Sequence, residues 1–122
     1  MASRKFTELW VWKAAHQVSL VIYRMTKSYP REELYGLVSQ MRRAAVSIPA
    51  NIAEGFGRCS PRDHARFYEI AKSSAEELRH YLILSVDLGY IASDPALDES
   101  VDAVCAMLYR LRQSVLGDAE SS

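Results

Sequence analysis

A 23-residue stretch with a proline inside it places the strongest limit on how this chain can fold. The stretch, residues 36–58, reads GLVSQMRRAAVSIPANIAEGFGR. Because apolar residues recur in phase every three or four positions through Pro49, we predict one helix kinked there rather than two helices with a break. Gly55 and Gly57 are expected to supply left-handed geometry at the end of this helix. The apolar positions are Leu37, Met41, Ala45, Ile48, Ile52 and Phe56.

A polar line follows a second face of the same predicted helix. It consists of Gln40, Arg43, Ser47, Asn51 and Glu54. Since buried polar groups need hydrogen-bond partners, we predict a structural network that fixes the kink and the contact between subunits. In that network Ser47 or Asn51 would bond a carbonyl that the proline leaves free, and Arg43 would pair with Glu54 of a neighbouring chain. A contact with a ligand or with nucleic acid is the alternative.

Three further segments have helical spacing and recognisable start and stop residues. Helix 1 is predicted at residues 7–28 with Thr7 as its N-cap, and helix 2 begins after Pro30. Helix 3 starts at Ser60 and ends near residue 88. Helix 4 starts at residue 94 or 95 and ends at Gly117. Its apolar residues follow a heptad pattern: Leu97, Val101, Val104, Leu108, Leu111 and Val115.

The short connections between these helices predict the topology. A few residues between successive helices make neighbours antiparallel, so we predict an all-α, up-down-up-down four-helix bundle. The chain has 122 residues and only five glycines and four prolines, as expected of one helical domain. We therefore predict a single domain over residues 1–122 with a frayed tail at about residues 118–122.

The charge of the chain is zero overall but differs between its two halves. Residues 1–66 contain 11 Lys/Arg and 5 Asp/Glu, whereas residues 67–122 contain 4 and 10. The sequence alone favours packing in which the two halves neutralise each other. The alternative is a basic surface that meets a polyanion or another subunit. The candidate nucleic-acid-binding residues are Arg42, Arg58, Arg62 and Arg66, since arginine suits phosphate contacts as well as carboxylate pairs.

Helix 1 has more large aromatic residues than one core stripe can bury. Trp10 and Trp12 lie about 200° apart around the helix, on opposite faces. One of them is expected to face the bundle, and the other is expected to be half-exposed or buried against another chain. These two tryptophans therefore predict oligomerisation.

No motif in the sequence indicates catalysis, a metal or a cofactor. Glu77 and His80 have the spacing of a di-iron bundle, but a second such pair is missing. The glycines around Phe56 follow a helix and lack the Gly-Lys-Ser/Thr of a phosphate loop. The sequence also has no apolar run long enough to span a membrane. Cys59 and Cys105 predict structural thiols in a reducing cytoplasm.

Several phrases resemble the bacterial 23S rRNA intervening-sequence protein family. They include YGL at residues 35–37, QMRRAA at residues 40–45 and, above all, SIPANIAEG at residues 47–55. The resemblance covers roughly residues 6–90. It implies a four-helix bundle that assembles into a barrel-like homopentamer and has no established enzymatic activity. Related accessory proteins of diversity-generating retroelements are basic, bind nucleic acid and engage a reverse transcriptase; this chain differs from them in its net charge of zero.

Together these observations predict a cytoplasmic, non-enzymatic oligomer. Its expected function is that of a scaffold or binding protein for RNA or DNA, with a protein partner as a further expectation. The alternative is a purely structural protein–protein interaction module that binds no nucleic acid.

Overall fold

Four long helices dominate the computed structural model, which describes the backbone of residues 5–121 and the side chains of residues 5–117. Helix α1 spans Trp10–Met25, α2 spans Ser39–Phe56, α3 spans Pro61–Asp87 and α4 spans Pro95–Ser121. Short 3-10 turns lie at Phe6–Glu8, Thr26–Ser28 and Arg31–Glu33, and a π-helical turn lies at Leu34–Val38. The predicted all-α class and the four helices are confirmed.

The ion pairs between α3 and α4 connect residues that run in opposite directions along the two helices. Arg79 of α3 bonds Asp102 near the start of α4, whereas the earlier Glu69 pairs with the later Arg112. The hydroxyls of Ser47 and Ser74 meet between α2 and α3. The α3–α4 contacts are those of antiparallel neighbours, as the short connections predict.

The predicted apolar lines form the core. Met41, Ala45, Ile48 and Ile52 of α2 are fully or almost fully buried, while Phe56 at the end of the line is half-buried. In α4 the first four residues of the heptad line are buried as well. Within residues 5–121, none of the helices contains an apolar stretch sufficient to cross a lipid bilayer.

The irregular point near helix 2 lies at Gly36, which differs from the prediction of a helix beginning after Pro30. Gly36 has non-helical angles (φ −112°, ψ −109°) within the π-helical turn. The Glu33 carboxylate stabilises this turn, because it accepts hydrogen bonds from the Leu37 amide (3.4 Å) and the Tyr90 hydroxyl (2.8 Å). By contrast α2 continues through Pro49, so the alternative of two helices with a break there is wrong. The bend at Pro49 stays a prediction.

The ends of the helices confirm some local signals and correct others. The Ser60 hydroxyl accepts a hydrogen bond from the Asp63 amide (3.1 Å), as an N-cap should. Thr7, however, lies in a 3-10 turn, and the residue before α1 is Leu9, which makes no side-chain cap. Gly57 follows α2 with a φ of −81°, and among the described glycines only Gly89 has a positive φ, so the left-handed geometry expected at Gly55 and Gly57 is wrong. Helix α4 passes through Gly117 to Ser121, so the expected end at Gly117 is wrong as well. The predicted frayed tail is therefore helical up to Ser121, and Ser122 lies outside the described residues.

Candidate nucleic-acid interface

Three of the four predicted nucleic-acid-binding arginines lie together where α2 ends and α3 begins. The guanidinium carbons of Arg58 and Arg66 lie 4.7 Å and 4.5 Å from the centre of the Phe67 ring. Arg62 and Arg66 line a shared groove of about 380 Å³ between α3 and α4. We call Arg58, Arg62 and Arg66 the α2–α3 arginine cluster. Stacking on an aromatic face orients a guanidinium while its N–H edge remains available to an anion.

Carboxylates accompany this cluster, but the ion pairs are long and exposed. Arg58 lies 3.6 Å from Glu54, and Arg66 lies 3.8 Å from Asp63. Exposed pairs of this kind contribute at most about 1 kcal/mol each, so they compete weakly with a phosphate. Arg62 is exposed and forms no ion pair with any residue whose side chain the structure describes.

Arg42 is not part of this cluster. Its Nε donates a hydrogen bond to the Thr26 hydroxyl (3.0 Å), and its guanidinium lies over the Tyr23 ring at 4.8 Å. At about 1.5 Å per residue, α2 separates Arg42 from the end of the helix, where Arg58 follows, by roughly 20 Å. The structure therefore divides the four predicted arginines between two ends of the bundle.

The expected neutralisation between the two halves of the chain is not made by ion pairs among the described side chains. Among the described side chains, every ion pair joins two residues of the same half, either 1–66 or 67–122. The longest-range pairs, from Arg79 and Arg112 to carboxylates of the neighbouring helix, connect α3 with α4 inside the acidic half. Among the side chains of residues 5–117, the positive surplus of the first half is therefore not balanced by ion pairs with the acidic half.

The predicted polar line separates into three contacts instead of forming one network. Arg43 donates a hydrogen bond to the Gln40 side chain (2.6 Å), and Glu54 pairs with Arg58. Asn51 donates to the carbonyl (2.8 Å) and the hydroxyl (2.9 Å) of Ser47, and that hydroxyl meets Ser74 of α3. The last contact is structural, because it connects two helices. The part of the prediction that places Arg43 against Glu54 of another chain stays a prediction.

The carbonyl that Pro49 leaves free has a partner on another helix. Proline lacks the N–H that would bond Ala45, and the Ser19 hydroxyl of α1 donates to that carbonyl instead (2.9 Å). The expectation that Ser47 or Asn51 would do so is therefore wrong. Ser19 is buried on the apolar line of α1, and a hydroxyl at such a position was the available signal.

The two predicted oligomer tryptophans have different surroundings. Trp12 packs against the core, edge-on to Phe6 (ring centres 5.4 Å apart) and stacked on His16 (4.8 Å). Trp10 is 74% exposed and lines an apolar groove of about 280 Å³ between α1 and α4. The prediction that only one tryptophan faces the bundle is confirmed, and Trp10 is the one left at the surface.

The remaining candidate groups are the metal-binding residue types and the two cysteines. Among the described residues, no group of three or more His, Cys, Asp or Glu side chains is placed to hold a metal ion. Glu77, which has the spacing of a di-iron bundle with His80, accepts a hydrogen bond from the Tyr81 hydroxyl (2.8 Å). Burial raises the pKa of the Cys105 thiol, which keeps this half-buried cysteine protonated, whereas Cys59 is exposed. Only Cys105 thus has the packing expected of a structural thiol.

A family model described as 23S rRNA-intervening sequence protein matches residues 7–110, which include all of α1, α2 and α3 and most of α4. No curated protein matches the chain. The further relation to accessory proteins of diversity-generating retroelements stays a prediction.

Proposed function

The chain belongs to the 23S rRNA-intervening sequence protein family, and on this premise we propose that it is a non-enzymatic, homo-oligomeric protein that binds RNA or DNA in the cytoplasm. The observation on which the proposal rests is the confinement of ion pairs to each half of the chain. A polyanion requires a binding surface with a positive surplus, and no ion pair from the described part of the acidic half offsets the surplus of residues 1–66.

The α2–α3 arginine cluster is the proposed contact with the phosphate backbone. Phe67 orients two of its guanidinium groups, and Arg62 is exposed beside them without an ion pair among the described side chains. Phosphate accepts paired hydrogen bonds from a guanidinium, and these charge-assisted bonds are stronger than the long carboxylate contacts of Arg58 and Arg66. Because Glu54 and Asp63 reduce the local charge, the expected affinity is modest and strongly dependent on salt.

Assembly of several copies is the second part of the proposal. The groove between α1 and α4 is lined mostly by apolar side chains, including Trp10, Val21, Leu97 and Met107. An exposed tryptophan beside such a groove is typical of the centre of a protein–protein interface. A second copy of the chain is the proposed occupant, and the resemblance to the family implies five copies in the particle.

Reversing two charges of the arginine cluster is expected to reduce nucleic-acid binding without unfolding the protein. The Arg58→Glu, Arg62→Glu variant should bind labelled RNA and DNA at least about tenfold more weakly at low salt, because two phosphate contacts are lost and each contributes roughly 0.7–0.9 to the salt slope. Fluorescence anisotropy between about 50 and 200 mM salt measures both the affinity and its dependence on salt concentration. The Lys13→Glu, Arg110→Glu variant is the control, since it changes the net charge equally at other exposed sites. Equal losses in both variants would contradict the proposed site.

Truncating Trp10 is expected to weaken assembly and to leave the monomer folded. Light scattering of the wild type should give a particle of several 13.8 kDa chains, and Trp10→Ala should shift it toward the monomer. Ile83→Ala is the control, because it truncates an exposed apolar side chain on a different helix, α3, and it should leave the mass of the particle unchanged. A monomeric wild type, or a Trp10→Ala variant with the wild-type mass, would overturn this interface.

A further inference from the structure

A second surface with basic and aromatic side chains lies at the opposite end of α2 from the arginine cluster. It surrounds a groove of about 410 Å³ between the end of α1 and the start of α2. We call Tyr23, Tyr35, Arg42 and Arg43 the Tyr35 surface. Tyr35 itself is 93% exposed, so its ring has almost no contact with the rest of the chain.

The segment around this surface has a positive charge surplus. Residues 24–43 contain five Lys/Arg and two Glu. The Glu33 carboxylate already accepts hydrogen bonds from Leu37 and Tyr90, so it is directed toward the protein and away from an incoming anion. Arg43 is exposed and bonds only the neutral Gln40 among the described side chains.

The side chain of Arg42 is held in place, whereas the ring of Tyr35 is uncovered. Its guanidinium lies over Tyr23 and is held by Thr26, so the side chain is ordered before any ligand binds. Tyr35 has no comparable cation over its ring among the described residues. Its exposed π-face is therefore available to a flat ligand beside two arginines.

We infer that the Tyr35 surface binds single-stranded nucleic acid, with an unpaired base stacked on Tyr35 and the adjacent phosphates contacted by Arg42 and Arg43. Proteins bind single strands by this combination of aromatic stacking and a positively charged track. Bases inside a duplex do not offer a free face, so this surface should discriminate single strands from duplexes. The inference rests on the proposed function, to which it adds the class of nucleic acid.

The charge of the surface favours a polyanion over a second protein. Arginine and tyrosine are common in protein interfaces too, but neither Arg42 nor Arg43 forms an ion pair with a carboxylate among the described side chains, and such a positive surface attracts a polyanion. The α1–α4 groove around Trp10 differs from it, since none of the described residues that line that groove is charged. The two surfaces thus differ in the chemistry of the partner that each fits.

Removing the Tyr35 ring is expected to reduce binding of single strands selectively. Tyr35→Ala should weaken binding of a labelled single strand of roughly 16 nucleotides by about fivefold or more, because one stacked base is lost. Its affinity for a duplex of the same sequence should not change. Tyr35→Phe keeps the stacking face and should retain wild-type binding, and Tyr109→Ala, at another exposed tyrosine on α4, should have no effect.

The outcomes separate this inference from the proposed function. If Arg58→Glu, Arg62→Glu reduces binding of both probes while Tyr35→Ala changes neither, the inference fails and the proposed function stands. If the wild type binds neither probe in a salt-sensitive manner, both fail. If Tyr35→Ala lowers the particle mass in light scattering, the surface is an interface between copies, and the inference is overturned.

Discussion

Gly55→Ala is expected to destabilise the protein by about 1–3 kcal/mol, although alanine is the better helix former by about 1 kcal/mol. A Cβ at this position would lie 2.9 Å from the Cβ of Phe67 and 2.9 Å from the Tyr68 ring. The Phe67 Cβ is attached directly to the backbone, so α3 itself would have to move away from α2. Because Phe67 also stacks against Arg58 and Arg66, the same change should disturb the arginine cluster.

Gly57→Ala provides the matched control two residues later. A Cβ there would meet only backbone carbonyls at 3.7 Å and 3.8 Å, and the φ of −81° suits any residue. We expect this variant to be neutral or more stable by roughly 0.4–1 kcal/mol, because alanine restricts the unfolded chain. Urea unfolding of both variants measures the difference. Equal changes in the free energy of unfolding would show that α2 and α3 do not approach each other closely at Gly55.

Ser19→Ala is expected to cost about 1–3 kcal/mol, since it leaves the buried Ala45 carbonyl without a hydrogen bond. Ser28→Ala is the control, because that hydroxyl bonds the Met25 carbonyl at an exposed position after α1 (3.0 Å). Its removal should change the free energy of unfolding by less than about 0.5 kcal/mol.

A double variant tests the physical reason for the Ser19 effect. Pro49→Ala restores an N–H that can donate to the Ala45 carbonyl, so Ser19 should matter less in its presence. In a double-mutant cycle the cost of Ser19→Ala should therefore fall in the Pro49→Ala background, with a coupling of about 0.5 kcal/mol or more. An unchanged cost would mean that Ser19 stabilises the protein through its bond to Ala15 or through packing alone.

The arginine cluster and the Tyr35 surface occupy opposite ends of α2, roughly 20 Å apart along the helix axis. A single strand that contacts both would follow α2, whereas a shorter ligand would occupy one site. In an oligomer each surface is repeated once per chain, so modest affinity at each one can add up through multivalent contacts.

The candidate site could be predicted only in part from the sequence. The spacing of Arg58, Arg62 and Arg66 indicated one shared surface, because residues four apart lie on one face of a helix. Residue type alone groups Arg42 with them, and its bond to Thr26 depends on how α1 packs against α2. The role of Phe67 beneath two guanidinium groups also requires the corner between α2 and α3 to be known.

Local signals in the sequence determined the helical class, the four helices, the buried line of Met41, Ile48 and Ile52, and the Ser60 cap. These features depend on periodicity and on residues within one turn of each other, which a sequence contains directly. Only the tertiary structure decided that the chain is irregular at Gly36 and that Ser19 bonds Ala45. Both depend on contacts between segments far apart in the chain, Glu33 with Tyr90 and α1 with α2, because a polar group takes the partner that packing brings to it.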